Sequence, residues 1–273
     1  AAGSGGGPQT LLTSGSFMIN QSWEQETDFD REVFVRVPTG QAPMPVVILL
    51  HGNGGNGQGM LRFGNDWSRR ILVAPDGYLS SWNCGAEASA APDVDYIRSV
   101  ISELKTFGNV DSTNVSVVGT SNGSALANRL LIELEADTFH SAVTIVSPLN
   151  ANQHHDNDFF EYPYNNGQAV TPQRGRRILN ISGTQDGIIP YGGGLGVAGY
   201  TFLAGERSTF IWAQHMGFGG LQLSSGVPDA TNPNLVRYSY LDGDVVHYKL
   251  IDGGHGLSGN SDVRRVIDEF LAR

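Results

Sequence analysis

The sequence predicts an α/β protein with a mostly parallel central sheet and helices on both faces. Short apolar runs recur along the chain, and segments with helical spacing separate them. Several of these runs are continuous rather than alternating, as in strands that are buried on both faces of a parallel sheet. The 273 residues and 40% hydrophobic content suffice for one sizeable core. We therefore expect one large domain rather than two small ones.

The first half of the chain contains three predicted strands and a helix. Residues 31–38 alternate apolar and polar side chains, which indicates a half-buried strand. Residues 45–50, P-V-V-I-L-L, form a continuous apolar run that ends in the glycine-rich loop H-G-N-G-G-N-G. Residues 71–74, I-L-V-A, form another run, followed by the turn signal P-D-G. Residues 93–104 have helical spacing, with Asp93 as the expected N-cap.

The second half continues the alternation. Its apolar runs predict four strands, and amphipathic segments predict a helix after each of the first, third and fourth. The predicted strands are residues 115–118, 142–146, 178–182 and 245–251, and the predicted helices begin after Ser121 and span residues 209–216 and 262–271.

The predicted domain organisation is simple. Residues 1–15 are glycine-rich at their start, and we expect a flexible N-terminal segment. Residues 16–273 form the single domain. Within it, residues 148–176 and 191–234 interrupt the rhythm and are rich in Gly, Pro, Asn and Ser. Long loops of this kind are usually functional or mobile, so we expect loop-rich inserts near the functional site.

Composition excludes several classes of function. The net charge of −10 argues against a nucleic-acid partner, because phosphate binding needs a basic surface. No run of 18 apolar residues exists, so no membrane span is expected. Cys84 is the single cysteine and cannot form an intramolecular disulfide; we interpret it as a small packed residue rather than a nucleophile. The oligomeric state cannot be predicted from the sequence.

Residues 119–123, G-T-S-N-G, place Ser121 between two glycines, after a β-branched run and before an amphipathic segment. A strand, G-x-S-x-G and a helix form the context of a nucleophile elbow, in which a tight turn lifts the serine above the sheet edge. Gly119 and Gly123 would remove side chains that clash with the adjoining strand and helix. Such matches also arise by chance, but this is the only one in the chain. Ser121 is therefore a candidate nucleophile.

A serine nucleophile needs a histidine base and a carboxylate that orients it, and in an elbow of this kind the chain order is Ser, Asp or Glu, His. His255 is the favoured base, because it follows the last predicted strand in the glycine-rich loop I-D-G-G-H-G. Open α/β sheets bind ligands at that edge. His247 alternates with apolar residues inside a strand and is better explained as structural. The remaining downstream candidates are His140, His154, His155 and His215.

The favoured acid is Asp186, in the turn after residues 178–182, although an Asp-Gly turn is a common structural feature. Asp252 is an alternative, but it lies only three residues before His255. Asp156 and Asp158 precede the relevant strand and fit less well.

Two main-chain N–H groups should form an oxyanion hole. One is expected from Asn122, which follows the serine, and the other from Asn53 in the glycine-rich loop. The alternative interpretation of that loop as a phosphate cradle is disfavoured, because its glycine spacing matches neither nucleotide-binding motif.

The motifs L-L-H-G-N-G-G-N, A-P-D-G-Y, S-W-N-C-G, D-V-D-Y-I-R-S-V-I, V-V-G-T-S-N-G-S-A-L-A-N-R-L and S-G-T-Q-D-G-I-I-P-Y occur in this order. Together they resemble the polyhydroxybutyrate depolymerase and feruloyl esterase group of the α/β-hydrolases. The resemblance covers residues 31–271, loosely over 148–176 and 191–240. Two departures concern the substrate: Gly256 and Leu257 stand where relatives often have a tryptophan, and Cys84 lacks a partner.

This resemblance implies an α/β-hydrolase without a large separate cap domain, with Ser121, Asp186 and His255 as a catalytic triad. It implies hydrolysis of carboxylic esters through an acyl-enzyme, with no metal and no organic cofactor. Feruloyl or acetyl esters of polysaccharide and other short-acyl or aryl esters are the expected substrates, with polyesters as the alternative. A secreted or periplasmic location is also implied, although the printed N-terminus has no signal-peptide pattern.

Aromatic residues could line the substrate cleft, or could simply pack within the inserts. The candidate substrate-binding residues are Trp82, Phe159, Tyr162 and Tyr191. Three rival functions remain. A serine peptidase usually carries a further large domain. A metal-dependent hydrolase would use His154, His155, Asp156 and Asp158, but adjacent histidines rarely bind one ion. A non-catalytic carbohydrate-binding protein would keep the fold without turnover.

Overall fold

A computed structural model describes residues 10–40, 42–164 and 167–273. Over these residues the chain forms one large sheet, two small sheets and five α-helices. The strands are β1 Gly15–Trp23, β2 Glu26–Arg36, β3 Met44–Leu50, β4 Ile71–Pro75, β5 Val110–Thr120, β6 Ser141–Ile145, β7 His154–His155, β8 Asp158–Phe160, β9 Ala169–Val170, β10 Arg177–Gly183, β11 Gly194–Leu195, β12 Thr201–Phe202, β13 Val227–Pro228, β14 Leu235–Tyr240 and β15 Val245–Leu250. The helices are α1 Gly57–Leu61, α2 Asp93–Leu104, α3 Asn122–Glu133, α4 Gly205–His215 and α5 Ser261–Leu271.

The large sheet has the strand order β1-β2-β4-β3-β5-β6-β10-β15-β14-β13. Its centre, from β4 to β15, is parallel throughout. The pairs outside this centre are antiparallel. Because all parallel strands end at the same edge, the loops that follow β3, β5, β10 and β15 come together there.

Helices cover both faces of the sheet. Alternate residues of β3 illustrate this arrangement, since Ile48 belongs to the core formed with α2, α3 and α4. Its neighbour Leu49 belongs to the core formed with α1 and α5. Strands buried on both faces lack polar alternation, which is why the apolar runs of β3, β4 and β6 were readable in the sequence. The predicted mostly parallel sheet with helices on both faces is confirmed.

Among the antiparallel strands, β2 contains most of the predicted strand 31–38, whereas β1, β13 and β14 were not predicted. β1 is exposed or half-buried along its whole length, so its apolar signal is weak. β13 has only two residues, both exposed. The predicted inserts form the two small sheets β7-β8-β9 and β11-β12, which pack on the domain. None of the described helices combines the length and apolar character needed to cross a membrane.

The predicted flexible segment, residues 1–15, falls partly outside the described residues, which begin at residue 10. The described part includes Leu12, whose side chain is buried. Its main-chain N–H donates to Asn109 Oδ1 at 2.8 Å, and Asn109 Nδ2 donates to the Leu12 carbonyl at 3.0 Å. This part of the segment is therefore packed against the domain.

Asp93 is not the N-cap that the sequence suggested. Helix α2 has Pro92 at that position, and Asp93 is the first helical residue. Its buried carboxylate accepts a hydrogen bond from Arg31 Nη2 at 2.6 Å and another from the Asn83 main chain at 2.6 Å. Burial raises the pKa of Asp93 despite the Arg31 charge. The ion pair fixes the loop that precedes α2 onto β2.

Replacing Asp93 with alanine should lower the free energy of unfolding by about 3–5 kcal/mol, because the buried Arg31 charge loses its partner. Chemical denaturation measures the change. Asp95, on the same helix, pairs with Arg98 in an exposed position and gives the matched control. Asp95→Ala should cost less than about 1 kcal/mol. Equal losses in the two variants would contradict the prediction.

Candidate active site

Ser121 occupies a strained turn between β5 and α3. Its backbone angles are φ 52° and ψ −119°, a conformation that non-glycine residues rarely adopt. A Cβ added to Gly119 would lie 2.2 Å from the Gly123 carbonyl oxygen. A Cβ added to Gly123 would lie 2.3 Å from the carbonyl oxygen of Leu50. Both glycines are therefore required by backbone contacts, as expected for a nucleophile elbow.

Hydrogen bonds join Ser121, His255 and Asp186 in one series. His255 Nε2 lies 2.9 Å from Ser121 Oγ, and His255 Nδ1 lies 2.8 Å from Asp186 Oδ2. A carboxylate can only accept, so Nδ1–H donates to Asp186 and Nε2 can accept from the serine hydroxyl. This arrangement can transfer a proton from the serine to the imidazole.

Loops at the carboxyl edge of the sheet hold the two partners of Ser121. Asp186 follows β10 and His255 follows β15, two neighbouring strands. The second carboxylate oxygen of Asp186 accepts the main-chain N–H groups of Ile188 and Ile189, at 2.8 and 2.9 Å. These bonds leave Oδ2 aimed at the imidazole. The alternative acid Asp252 is exposed, and its N–H donates to Thr184.

The alternative histidines occupy other environments. His247 is buried within β15, as its alternating pattern indicated, and burial lowers its pKa to about 3. His154 and His155 form β7 and contact the rings of Phe159 and Phe160. Among residues 10–40, 42–164 and 167–273, no group of three His, Cys, Asp or Glu side chains is placed to hold a metal ion.

Asn53 and Asn122, the predicted oxyanion-hole residues, both line the cavity that contains Ser121. Asn122 is the first residue of α3, so its main-chain N–H lies at the helix N-terminus, where negative charge is favoured. A Cβ added to Gly52 would lie 3.4 Å from Ser121 Cβ, an ordinary van der Waals contact, so the Asn53 loop lies directly against the serine. The two loops therefore meet beside the serine.

His51 fixes the loop that carries Asn53. Its Nδ1 lies 2.8 Å from the Gly52 carbonyl oxygen, and its Nε2 accepts the Gly77 N–H at 3.0 Å. Burial lowers the pKa of His51, which favours the neutral ring that this bonding pattern requires. The histidine thus ties the loop after β3 to the loop after β4.

A cavity of about 660 Å³ opens above Ser121. Aliphatic side chains of Leu79, Ile188 and Val197 form part of its wall, and each is 46–58% exposed. Tyr200 and Phe202 also line it but are largely buried. Sequence analysis missed these residues, although Leu79 and Ile188 lie in loops that follow β4 and β10 at the carboxyl edge. That position was the available signal.

None of the four aromatic residues that were predicted to bind substrate is among the residues that line the cavity above Ser121. Trp82 is fully buried, with its indole N–H donating to the His51 carbonyl at 2.8 Å. Phe159 is buried against Trp212, with ring centroids 4.6 Å apart. Tyr162 packs on the Arg129 guanidinium. Tyr191 donates to Glu206 at 2.6 Å. Each ring thus has a partner within the protein, and a role of these four residues in substrate binding stays a prediction.

Comparison with known proteins gave matches in sequence and in structure, whereas no family model matches the chain. Feruloyl esterase B of Piromyces equi is 28% identical over 250 residues, which cover 84% of this chain and 43% of that protein. The putative esterase NocK of Nocardia uniformis subsp. tsuyamanensis is 29% identical over 115 residues, or 38% of this chain and 33% of that protein. The matched regions thus span less than half the length of these relatives.

Solved structures resemble the chain over nearly its whole length. The acetyl xylan esterase from Aspergillus awamori matches with a TM-score of 0.62 and 14% identity, covering 94% of this chain and 99% of that one. Esterase 2 of Thermogutta terrifontis matches with a TM-score of 0.59 and 13% identity, covering 94% of both chains. The chain is thus a sequence relative of feruloyl esterase B and has the α/β-hydrolase fold.

Proposed function

We propose that this protein hydrolyses carboxylic esters through an acyl-enzyme formed on Ser121. The observation that carries the proposal is the hydrogen-bonded series Ser121–His255–Asp186 at the floor of the cavity. The esterase names of the sequence relatives agree with it. We also propose a secreted or periplasmic location, which rests on the family resemblance alone.

In the first half of the reaction, Ser121 Oγ attacks the ester carbonyl carbon while His255 Nε2 takes the hydroxyl proton. Negative charge develops on the carbonyl oxygen and is stabilised by the N–H groups of Asn53 and Asn122. His255 then protonates the alkoxy oxygen, and the bond from carbonyl carbon to that oxygen breaks. Asp186 holds the imidazole in the required tautomer and stabilises its positive form.

In the second half, water attacks the acyl-enzyme, and His255 removes the proton of the water molecule. The tetrahedral intermediate collapses, the carbonyl–Oγ bond breaks, and the proton returns from His255 to Ser121. A carboxylic acid leaves. No step of this scheme requires a metal or an organic cofactor.

The cavity wall favours esters with an apolar part. Leu79, Ile188 and Val197 present exposed aliphatic surface at its side, and such surface binds acyl chains or aryl groups. Short-acyl and aryl esters, including feruloyl or acetyl groups borne by polysaccharide, are therefore the proposed substrates. The same aliphatic wall favours polyester oligomers as a second candidate.

A fluorophosphonate probe and p-nitrophenyl acetate test the proposal together. The wild-type protein should release a burst of p-nitrophenol, as acyl-enzyme accumulates, and mass spectrometry should find the probe on Ser121. A screen of methyl ferulate, acyl chain lengths and polyester oligomers then ranks the substrates. A folded protein with neither turnover nor labelling would contradict the proposal and support a non-catalytic binding role.

A further inference from the structure

The side chain of Asn122, at the N-terminus of α3, forms hydrogen bonds in both directions with the main chain of Trp82. Its Oδ1 accepts the Trp82 main-chain N–H at 2.7 Å, and its Nδ2 donates to the Trp82 carbonyl at 3.0 Å. The side-chain amide of Asn122 thereby pairs with both the main-chain N–H and the main-chain carbonyl of Trp82. Because these bonds hold the first residue of α3, they also fix the direction of its main-chain N–H.

Glu87 bonds to the same amide nitrogen of Asn122. Its Oε1 accepts a further hydrogen bond from Asn122 Nδ2 at 3.1 Å. Its Oε2 accepts the Cys84 main-chain N–H at 2.8 Å and the Tyr200 hydroxyl at 3.1 Å. Hydrogen bonds to an ionised acceptor are stronger than bonds between neutral groups. The carboxylate thus joins α3 to two segments of the cavity wall.

Trp82 carries the same network to the other side of the site. Its indole N–H donates to the His51 carbonyl at 2.8 Å, and the His51 ring contacts the Gly52 carbonyl at 2.8 Å. Gly52 precedes Asn53. Hydrogen bonds therefore connect Glu87, through Asn122 and Trp82, to the loop that carries the second proposed N–H donor.

We propose that Glu87 is a positioning residue for the oxyanion hole, which it aligns through the side chain of Asn122. The inference rests on the proposed ester hydrolysis and concerns how the two N–H groups are held. Such groups act on charge that develops only in the transition state. Misalignment should therefore lower kcat and leave KM nearly unchanged, which a substrate-contacting residue would not do.

The first test is Glu87→Gln. A glutamine has one carbonyl oxygen, so it cannot accept from Asn122, Cys84 and Tyr200 as the carboxylate does. We expect kcat for p-nitrophenyl acetate to fall about tenfold, since even complete loss of one oxyanion donor costs about 10²–10³-fold. The Ki of a trifluoromethyl ketone, which mimics the tetrahedral intermediate, should rise by the same factor. The pH profile should keep its midpoint, because the contact between His255 and Asp186 is untouched.

The second test is Asn122→Asp, which keeps the main-chain N–H but places two carboxylates side by side. Its loss of kcat should exceed that of Glu87→Gln. In the double variant the glutamine amide can donate to the aspartate, so activity should recover above that of Asn122→Asp alone. Glu103→Gln, at an exposed position on α2, is the matched control and should behave as wild type.

Three results would overturn the inference: wild-type kcat in Glu87→Gln, a change confined to KM, or no recovery in the double variant. If Glu87→Gln fails to fold, Asn122→Asp is the deciding variant. A fall in its kcat that is matched by the rise in the Ki of the trifluoromethyl ketone would support the inference, and a fall in kcat without a rise in Ki would overturn it. An inactive wild-type protein would overturn the proposed function and this inference together. Active wild type with unaffected variants would overturn this inference alone.

Discussion

Replacing Ser121 with alanine should lower kcat for p-nitrophenyl acetate by about 10⁵–10⁶-fold and leave the fold intact. The change removes a single oxygen that faces the cavity, whereas the backbone contacts of Gly119 and Gly123 remain. His255 then has no hydroxyl to deprotonate, so acyl-enzyme cannot form. Residual turnover should come only from the oxyanion hole and from substrate binding. Burst kinetics with active-site titration measure the loss.

Ser102→Ala, on the exposed face of α2, is the matched control and should keep wild-type kcat. Far-ultraviolet circular dichroism and the melting temperature should be similar for all three proteins. Retained burst kinetics in Ser121→Ala would refute Ser121 as the nucleophile. In that case the ester hydrolysis, if present in the wild type, would need another residue.

The parts of the fold that follow from local pattern could be predicted. β3, β4 and β6 are buried on both faces, so their apolar runs are continuous and visible without tertiary information. The elbow is also local, because its glycines and serine lie within five residues. The partners of Ser121 could then be sought by chain order and by their position after strands.

The direction in which the aromatic side chains point could not be predicted. Trp82, Phe159 and Tyr191 were candidates for the substrate cleft, but Trp82 and Phe159 are buried against partners that are distant in sequence, and Tyr191 donates to Glu206. Trp82 packs against His51, and Phe159 against Trp212. A composition rich in aromatic residues does not distinguish a binding surface from a packed one. The aliphatic wall of the cavity was missed although the position of Leu79 and Ile188 after β4 and β10 was a signal for it.

The network around Asn122 shows a second limit. The N–H of the residue after the serine follows from the motif, but the role of the side chain depends on Trp82 and Glu87, which lie 40 and 35 residues earlier. Glu87 has no local pattern that marks it. The Glu87 carboxylate reaches the site only because the segment that contains Trp82 and Glu87 lies against the turn at Ser121 and Asn122 in the folded protein.

Replacing Asp186 with asparagine should lower kcat by about 10⁴-fold, with little change in stability. The asparagine Oδ1 can still accept the N–H groups of Ile188 and Ile189, so the loop keeps its conformation. Its amide, however, can donate to His255 Nδ1, and the ring then carries its proton on Nε2. That tautomer cannot accept the proton of Ser121. The loss should therefore appear in kcat at every pH at which wild type is active.

Asp252→Asn is the matched control, because Asp252 lies on the same loop as His255 and was the alternative acid. The Asp252 side chain is exposed, and the Nδ1–H of His255 already donates to Asp186. The variant should therefore keep nearly all of the wild-type kcat. Labelling of Ser121 by a fluorophosphonate should slow in Asp186→Asn and not in Asp252→Asn. The opposite ranking of the two variants would reassign the orienting carboxylate and, with it, the loop that holds His255 in place.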